Sequence, residues 1–317
     1  METKVTKGNN NTYEAIVSLT EQEKNKYLND ALEHEAKHIK IEGFREGKAP
    51  LNIVKEKVDK SSLRGHALNH IFTDVYSKLI KENKLNPIIN PRFEIIRFED
   101  VGDVELRIII VEKPEIKIGN YKAELSKKYK SKLSDQSRLN DTPGNEPVRD
   151  TKVEKSSKKK VGSEKKDVTD NSTDTILTSQ EIIETLLSCC DVDIAELLLN
   201  EEVDRMMASL IDQTAKMGIT VDQYLTAVNK KPDQIREEYR KSALQNIKGD
   251  FIITEIARIE KIEVTDIEID QTINAVPDEK SKEELKKPEQ RIYIKAILTK
   301  SKTLEYLKEE SKKVIIL

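Results

Sequence analysis

Apolar positions in the first 113 residues follow the period of a strand in some segments and of a helix in others. From Thr12 to Leu19 apolar residues alternate with polar ones, which predicts a half-buried strand. Thr20 and Glu23 then have the spacing of a capping box, so a helix is predicted from there to about Lys40. The further predicted elements are a helix over 51–58, a helix capped by Ser61 or Ser62, and strands over 93–98 and 104–111. The mixture lacks a βαβ rhythm, which predicts an α+β N-terminal domain over residues 1–113.

The C-terminal part, residues 176–317, has helical spacing throughout. Thr178 and Glu181 form a capping-box pattern, and a long helix is predicted from there to about Met217, where Gly218 can end it. The later predicted helices begin after Thr220, at Pro232 (ending near Ile262), after Thr265 and after Pro288. Each helix is apolar on one side only, so it can stay half exposed. This pattern predicts an all-α C-terminal domain of extended helical arms.

Residues 114–175 follow neither period. The stretch from Pro114 to Leu125 is predicted to be extended. From Ser126 to Asp174 the chain carries 13 Lys/Arg and 9 Asp/Glu, with Tyr129 as its one aromatic residue. So little apolar surface does not offset the cost of ordering the backbone, about 1–2 kcal/mol per residue. We therefore predict an extended segment followed by a disordered linker over 114–175, joining the two domains.

A loop between two predicted helices, Glu42–Pro50, is called the Phe44 loop below. Gly43 and Gly47 can take positive φ values that other residues avoid, and Pro50 suits the first turn of the next helix. One interpretation places Phe44 at the exposed tip of a shaped turn, with Arg45 and Lys48 beside it. The other folds Phe44 back into the core at an ordinary helical corner. Loop chemistry alone leaves both interpretations open.

Composition restricts the partners and the compartment. Charged residues make up 36% of the 317 residues and the net charge is −3, so contact with a polyanion would need a local patch. The N-terminus lacks the apolar stretch of a signal peptide, and no apolar run approaches the roughly 18 residues of a membrane span. Cys189 and Cys190 are adjacent in a helical pattern, where neighbouring side chains point apart, so no disulfide framework is predicted. We expect a cytoplasmic protein without a membrane partner.

Two pairs of histidines are the main candidates for chemistry. His34 and His38 enclose Glu35 in the H-E-x-x-H pattern of zinc peptidases, and His66 and His70 repeat the one-turn spacing. Such a pattern arises easily in a helix rich in Glu and Lys, so we predict no metal site. A zinc peptidase remains the enzymatic alternative, and zinc analysis of purified protein would test it. Because nucleotide-binding and serine-hydrolase motifs are also absent from the sequence, we predict no catalytic residue and no cofactor.

The Phe44 loop resembles the G-F-R-x-G-K-x-P signature of the bacterial trigger factor family through Gly43-Phe44-Arg45-Glu46-Gly47-Lys48-Ala49-Pro50. Residues 112–121 are similar to the strand that leaves the family's N-terminal domain. Residues 202–207, 218–225 and 262–269 follow the family's C-terminal pattern in order. The resemblance covers roughly residues 1–125 and 176–310.

The resemblance implies a ribosome-associated, ATP-independent chaperone that binds nascent polypeptides at the tunnel exit. In the family this loop docks on the large ribosomal subunit, with ribosomal protein and RNA as partners. The implied ribosome-binding residues are Gly43, Phe44, Arg45, Gly47 and Lys48. Met206, Met207 and Met217 would suit an adaptable client surface, but no client-binding residue is assigned. A homodimer off the ribosome is also implied.

Two departures from the family pattern modify these expectations. Family members usually carry an FKBP-like prolyl isomerase domain, but only about 50 residues with one aromatic intervene here, so we predict that the domain and its activity are missing. Glu46 stands where the family often has a basic residue, and beside ribosomal RNA an acid would weaken docking by about 1 kcal/mol. The alternative function is therefore a free cytoplasmic holdase or assembly factor with weak or no ribosome binding.

Overall fold

The computed structural model describes residues 1–45, 47–99, 101–140 and 177–313, and for 135–140 the backbone alone. From residue 141 onward, the predicted linker lies outside the described residues. The chain divides into two compact units, Met1–Glu115 with Asp193–Leu244 and Ile116–Val192 with Gln245–Leu317. The domain boundaries proposed from the sequence, 1–113, 114–175 and 176–317, stay predictions.

The first unit contains a four-stranded antiparallel sheet. Its strands are β1 (Glu2–Lys7), β2 (Thr12–Leu19), β3 (Arg92–Arg97) and β4 (Val104–Val111), in the order β1-β2-β4-β3. The strands predicted over 12–19 and 104–111 are confirmed with the same first and last residues. Their side chains are buried in alternation, as the apolar pattern indicated. β1 was not predicted, because Val5 is its one apolar residue and its sequence therefore lacks apolar alternation.

Three helices complete the N-terminal part of this unit: α1 (Glu21–Ala36), α2 (Leu51–Lys57) and α3 (Lys60–Asn83). Ile71, Val75 and Leu79 of α3 join the buried side chains of β2 and β4 in the main core. The capping box at Thr20 is confirmed. The predicted cap of α3 is wrong: Asp59 accepts a hydrogen bond from Ser62 N at 2.9 Å, so the helix begins before the two serines.

Lys24 of α1 is fully buried and holds the β3–β4 connection. Its Nζ donates to Glu99 O at 3.0 Å and to Gly102 O at 2.8 Å. A buried ammonium is tolerated only where such acceptors replace water. Lys24 therefore links the first helix to the hairpin of the sheet.

The rest of the first unit is helical. It consists of α6 (Glu196–Lys216), α7 (Val221–Ala227) and the first part of α8 (Pro232–Ile259). Leu210, Leu225 and Ile235 form their buried cluster. Arg240 also contacts Glu196 across 2.7 Å. The predicted starts at Thr220 and Pro232 are confirmed.

The second unit begins with a two-residue ladder between β5 (Ile116–Lys117) and β6 (Asp191–Val192). Its helices are α4 (Tyr121–Asn140), α5 (Ser179–Cys189), the second part of α8, α9 (Asp266–Asn274), α10 (Glu279–Leu285) and α11 (Pro288–Lys312). The prediction of one long helix from Thr178 to Met217 is wrong, because β6 separates α5 from α6. The predicted capping box at Thr178 and the predicted helix start after Thr265 are confirmed.

Helix α4 corrects the predicted extended segment and the start of the predicted linker. Tyr121 and Leu125 are buried, and the helix packs on α5 and α11. Lys132 also contacts Glu181 of α5 at 2.9 Å. These partners are distant in sequence, so the low local apolar content of this stretch did not indicate them.

A hydrogen-bonded carboxylate connects three helices of the second unit. Glu260, next to the end of α8, accepts from Tyr121 Oη at 2.6 Å, from Tyr306 Oη at 2.7 Å and from Lys122 Nζ at 2.8 Å. The hydrogen bonds from Lys122, Tyr121 and Tyr306 lower the pKa of Glu260 to about 2. Glu260 thus joins α4, α8 and α11 through one ionised group.

The predicted fold class is confirmed in its two ordered parts, an α+β N-terminal region and a mostly helical C-terminal part. Among the residues that the structure describes, no helix is both long enough and apolar enough to cross a membrane.

Candidate functional site

The Phe44 loop forms a shaped turn between α1 and α2. Gly43 and Gly47 have φ of +86° and +75°, in the left-handed region that glycine adopts without a steric penalty. Phe44 N donates to Ile41 O at 3.1 Å, and Lys48 N donates to Arg45 O at 2.9 Å. Two successive turns therefore shape the loop, and each contains one of the glycines.

A small apolar cluster fixes both ends of this loop. Its buried members are Leu32, Ala36 and Val54, with Ile39, Ile41, Ala49, Val58 and Leu63 packed against them. Ile41 immediately precedes the loop, and Ala49 lies near its second end. Gly47 also lies close to the end of α1, since a Cβ at Gly47 would lie 3.3 Å from Lys37 O. The predicted helix end at Lys40 is wrong, because the chain leaves α1 after Ala36 to form this cluster.

Phe44 lies outside the cluster and is 41% exposed. Arg45 and Lys48 are exposed as well. The structure therefore supports the exposed tip over the core corner. The five predicted site residues, Gly43, Phe44, Arg45, Gly47 and Lys48, lie together in this one loop, while Glu46 lies outside the described residues. The tip exposes an aromatic ring and two cations to solvent.

Three of the four histidines, His34, His38 and His66, lie close together where α1 and α3 pack. The ring centroids of His34 and His38 are 5.3 Å apart, and those of His34 and His66 are 6.1 Å apart. His66 Nε2 lies 3.1 Å from Glu35 Oε1. Within the described ranges, no group of three or more His, Cys, Asp or Glu side chains is arranged to hold a metal ion.

The two cysteines are arranged differently from the expectation. Their Sγ atoms lie 3.8 Å apart, so the prediction that the side chains point apart is wrong. The helix ends at Cys189, and Cys190 has extended backbone with φ −115° and ψ 145°. Burial, together with the Cys190 thiol, raises the pKa of Cys189 to about 12. Such a thiol is protonated near neutral pH and is a poor nucleophile.

The helical part of the second unit has an apolar surface that the sequence did not single out. A groove of about 290 Å³ lies between α8 and α11, lined by Ile253, Thr254, Ala257, Ile292, Lys295, Ala296, Thr299 and Lys300. Ile292, Tyr293 and Ile297 of α11 are 71%, 63% and 47% exposed. Large apolar side chains exposed together mark an interaction surface more often than chance. Of the three methionines considered from the sequence, Met217 is 61% exposed, and Met207 packs against the cluster of α6, α7 and α8.

Two family models match the chain. The model of the bacterial trigger factor protein matches residues 1–140, and the model of its C-terminus matches residues 152–309. Only 11 residues, 141–151, lie between the two matches. That interval is too short for a separate isomerase domain.

Curated relatives align along nearly the whole chain. Trigger factor of Clostridium kluyveri is 20% identical over 427 aligned positions, covering 98% of this chain and 99% of the relative. Trigger factor of Clostridium botulinum is 19% identical over 429 positions, covering 99% and 100%. Since this chain has 317 residues, at least 110 of the 427 positions lie opposite gaps in it.

A solved structure of the trigger factor chaperone, described for promiscuous substrate recognition in folding and assembly, has the same fold. It covers 98% of this chain and 100% of its own, with a TM-score of 0.62 and 15% identity.

Proposed function

The chain belongs to the trigger factor family of ribosome-associated chaperones, and from this premise we propose that it docks on the large ribosomal subunit near the exit tunnel through the Phe44 loop. The observation that supports this proposal most is the exposure of Phe44 on a turn with fixed ends. An aromatic ring can bury about 150–250 Å² in a crevice of the partner. Arg45 can bind a phosphate or a carboxylate in a bidentate manner, and Lys48 adds a second cation.

Co-sedimentation with ribosomes tests this docking site. The variant Phe44→Ala with Arg45→Ala is expected to lose co-sedimentation. Ile95→Ala with Arg97→Ala is the control, because it also removes one large apolar side chain and one arginine, here from exposed positions on β3. Equal pelleting of both variants with the wild type would refute docking through this loop.

The same proposal assigns nascent-chain binding to the apolar groove between α8 and α11 and to the exposed side chains beside it. Unfolded polypeptides expose apolar side chains, and this surface can bind them without a sequence code. We expect the protein to suppress aggregation of a denatured client equally with and without ATP. Ile292→Ser with Ile297→Ser should weaken suppression, whereas Ile95→Ser with Ile96→Ser on β3 should not. An ATP requirement, or an equal effect of the two variants, would contradict this assignment.

The proposal includes the absence of prolyl isomerase activity. It is supported by the 11-residue interval between the two family matches and by the gaps of at least 110 positions. A prolyl isomerisation assay on a Pro-containing peptide is expected to show the uncatalysed rate. Clear turnover would overturn this part of the proposal.

A free cytoplasmic holdase or assembly factor is the second candidate, and Glu46 is the observation that favours it. Glu46 places an acid inside the signature, next to the cations that would meet RNA. If this candidate is right, ribosome pelleting disappears at moderate salt in the wild type and is restored by Glu46→Lys. The cytoplasmic location and a homodimer off the ribosome also belong to this proposal, and sedimentation equilibrium of the free protein tests the homodimer.

A further inference from the structure

Three lysines near the Phe44 loop differ in their partners from three lysines of the second unit. In the second unit Lys122, Lys300 and Lys302 contact carboxylates at 2.8, 2.7 and 2.5 Å. The lysine flank, defined as Lys55, Lys57 and Lys60, is exposed, and the described part of the chain gives it no ion pair. The charge of these three side chains is therefore not neutralised by a carboxylate contact there.

The backbone holds the flank on the outside of a packed frame. Val54 of α2 is fully buried in the cluster below the loop, and Val58 packs against the same cluster. The lysines between and after these residues therefore face solvent. Lys55 and Lys57 lie in the last turn of α2, where the helix dipole favours a cation. Lys60 is the first residue of α3, where the helix dipole disfavours a cation. A stabilising effect on the helix therefore does not explain a lysine at this position.

The local charge also differs from that of the whole chain. Residues 37–60 hold seven Lys/Arg and four Asp/Glu, a balance of +3, while the chain carries −3. At physiological salt charges act over about 8 Å, so a partner at the loop would encounter this local balance. A continuous polyanion is the partner that such a patch fits.

We propose that the lysine flank binds backbone phosphates of ribosomal RNA beside the place where the Phe44 loop docks. The inference rests on the proposed function and adds a second contact surface to it. Lysine is a compact charge with little directional demand, which suits successive phosphates better than a single carboxylate on a protein. The loop supplies the aromatic contact, and the flank supplies an electrostatic contact without sequence preference.

Salt dependence of binding to purified large ribosomal subunits tests the flank. Each phosphate contact contributes about 0.7–0.9 to the slope of log affinity against log salt. Lys55→Gln with Lys57→Gln and Lys60→Gln is expected to reduce the slope by about two to three. Between 50 and 200 mM salt, the wild type should then lose roughly 20-fold more affinity than this variant.

Two control variants separate charge from structure. Lys26→Gln with Lys78→Gln and Lys81→Gln removes three exposed lysines elsewhere on α1 and α3, and its slope should match the wild type. Replacing the flank with three arginines keeps the charge and should keep the slope.

Three results would refute phosphate binding by the flank. The first is an unchanged slope in the flank variant, and the second is an equal reduction of the slope in the Lys26, Lys78 and Lys81 variant. The third is a loss of affinity in the flank variant with a slope change below one, which would indicate an acidic protein partner. If the Phe44→Ala, Arg45→Ala variant abolishes binding while the flank variant is unchanged, only the flank is refuted. If neither variant affects binding, the docking proposal itself is refuted.

Discussion

Lys24 is a buried charge whose partners are backbone carbonyl oxygens of the β3–β4 connection. Lys24→Met would keep most of the side-chain volume but leave Glu99 O and Gly102 O without this donor. Hydrogen bonds from charged donors contribute about 1.5–3 kcal/mol each, so we expect the free energy of unfolding to fall by about 3 kcal/mol. Urea unfolding followed by circular dichroism measures the change. Lys26→Met, at an exposed position of the same helix, is the control, and an equal effect of the two substitutions would contradict this role.

Glu260 predicts a pH dependence. Its pKa in the folded protein is about 2, below the unfolded value of about 4.3, so its stabilisation is present above the unfolded pKa and is lost as pH falls toward 2. At pH 7 we expect Glu260→Gln to lower the free energy of unfolding by about 2 kcal/mol. That difference should shrink between about pH 4.5 and pH 2. Glu305→Gln, at an exposed position on α11, should show neither effect. A difference that stays constant from pH 7 to pH 2.5 would refute the assignment.

The Phe44 loop shows how far residue-level chemistry alone could go. Two glycines and a proline predict a shaped turn, because glycine allows positive φ and proline fixes φ at about −65°. They do not decide whether the ring of Phe44 points into the core. That depends on the cluster around Val54, whose members come from several elements, and the cluster is filled without Phe44.

At the scale of the element, Gly119 follows β5 and packs closely against the backbone that leads into β6. A Cβ at Gly119 would lie 2.0 Å from Cys189 O, and a backbone oxygen cannot move aside easily. Gly119→Ala is therefore expected to lower the free energy of unfolding by about 3 kcal/mol and to increase hydrogen exchange at the ladder. Gly65→Ala is the matched control: Gly65 lies inside α3 with open space around it, so this change should stabilise by up to about 1 kcal/mol. A stabilising effect of Gly119→Ala would contradict the close approach.

Capping boxes in the sequence mark the starts of four helices correctly, whereas local sequence did not indicate where a helix is interrupted. The boxes at Thr20, Thr178, Thr220 and Thr265 are all present in the structure, since a capping box uses residues three positions apart. The break after Cys189 depends on pairing with Ile116 and Lys117, which are remote in sequence. Helix α4 was missed for the same reason, as its partners are α5 and α11. Element type followed from periodicity, whereas non-local packing decided where several elements stop.

At the scale of the whole molecule, the chain combines the two ends of a trigger factor with a very short interval between them. The family matches cover residues 1–140 and 152–309, so only 11 residues lie between them. The alignment with the Clostridium kluyveri relative spans 427 positions, many more than the 317 residues of this chain. The sequence therefore predicted the family and its two ordered regions. The α8–α11 groove was not predicted, because it needs Ile253 and Ile292 from distant segments to be brought together.

We propose that the exposed aromatic tip of the Phe44 loop attaches this chaperone to the ribosome. The most direct measurement is an equilibrium titration of labelled protein with large ribosomal subunits at fixed salt, comparing Phe44→Ala with Ile95→Ala. Both substitutions remove an exposed apolar side chain, 41% exposed at Phe44 and 51% at Ile95. We predict that Phe44→Ala raises the Kd at least about 30-fold, as for a hot-spot residue, while Ile95→Ala changes it less than about twofold. Equal Kd values for the two variants would contradict the account.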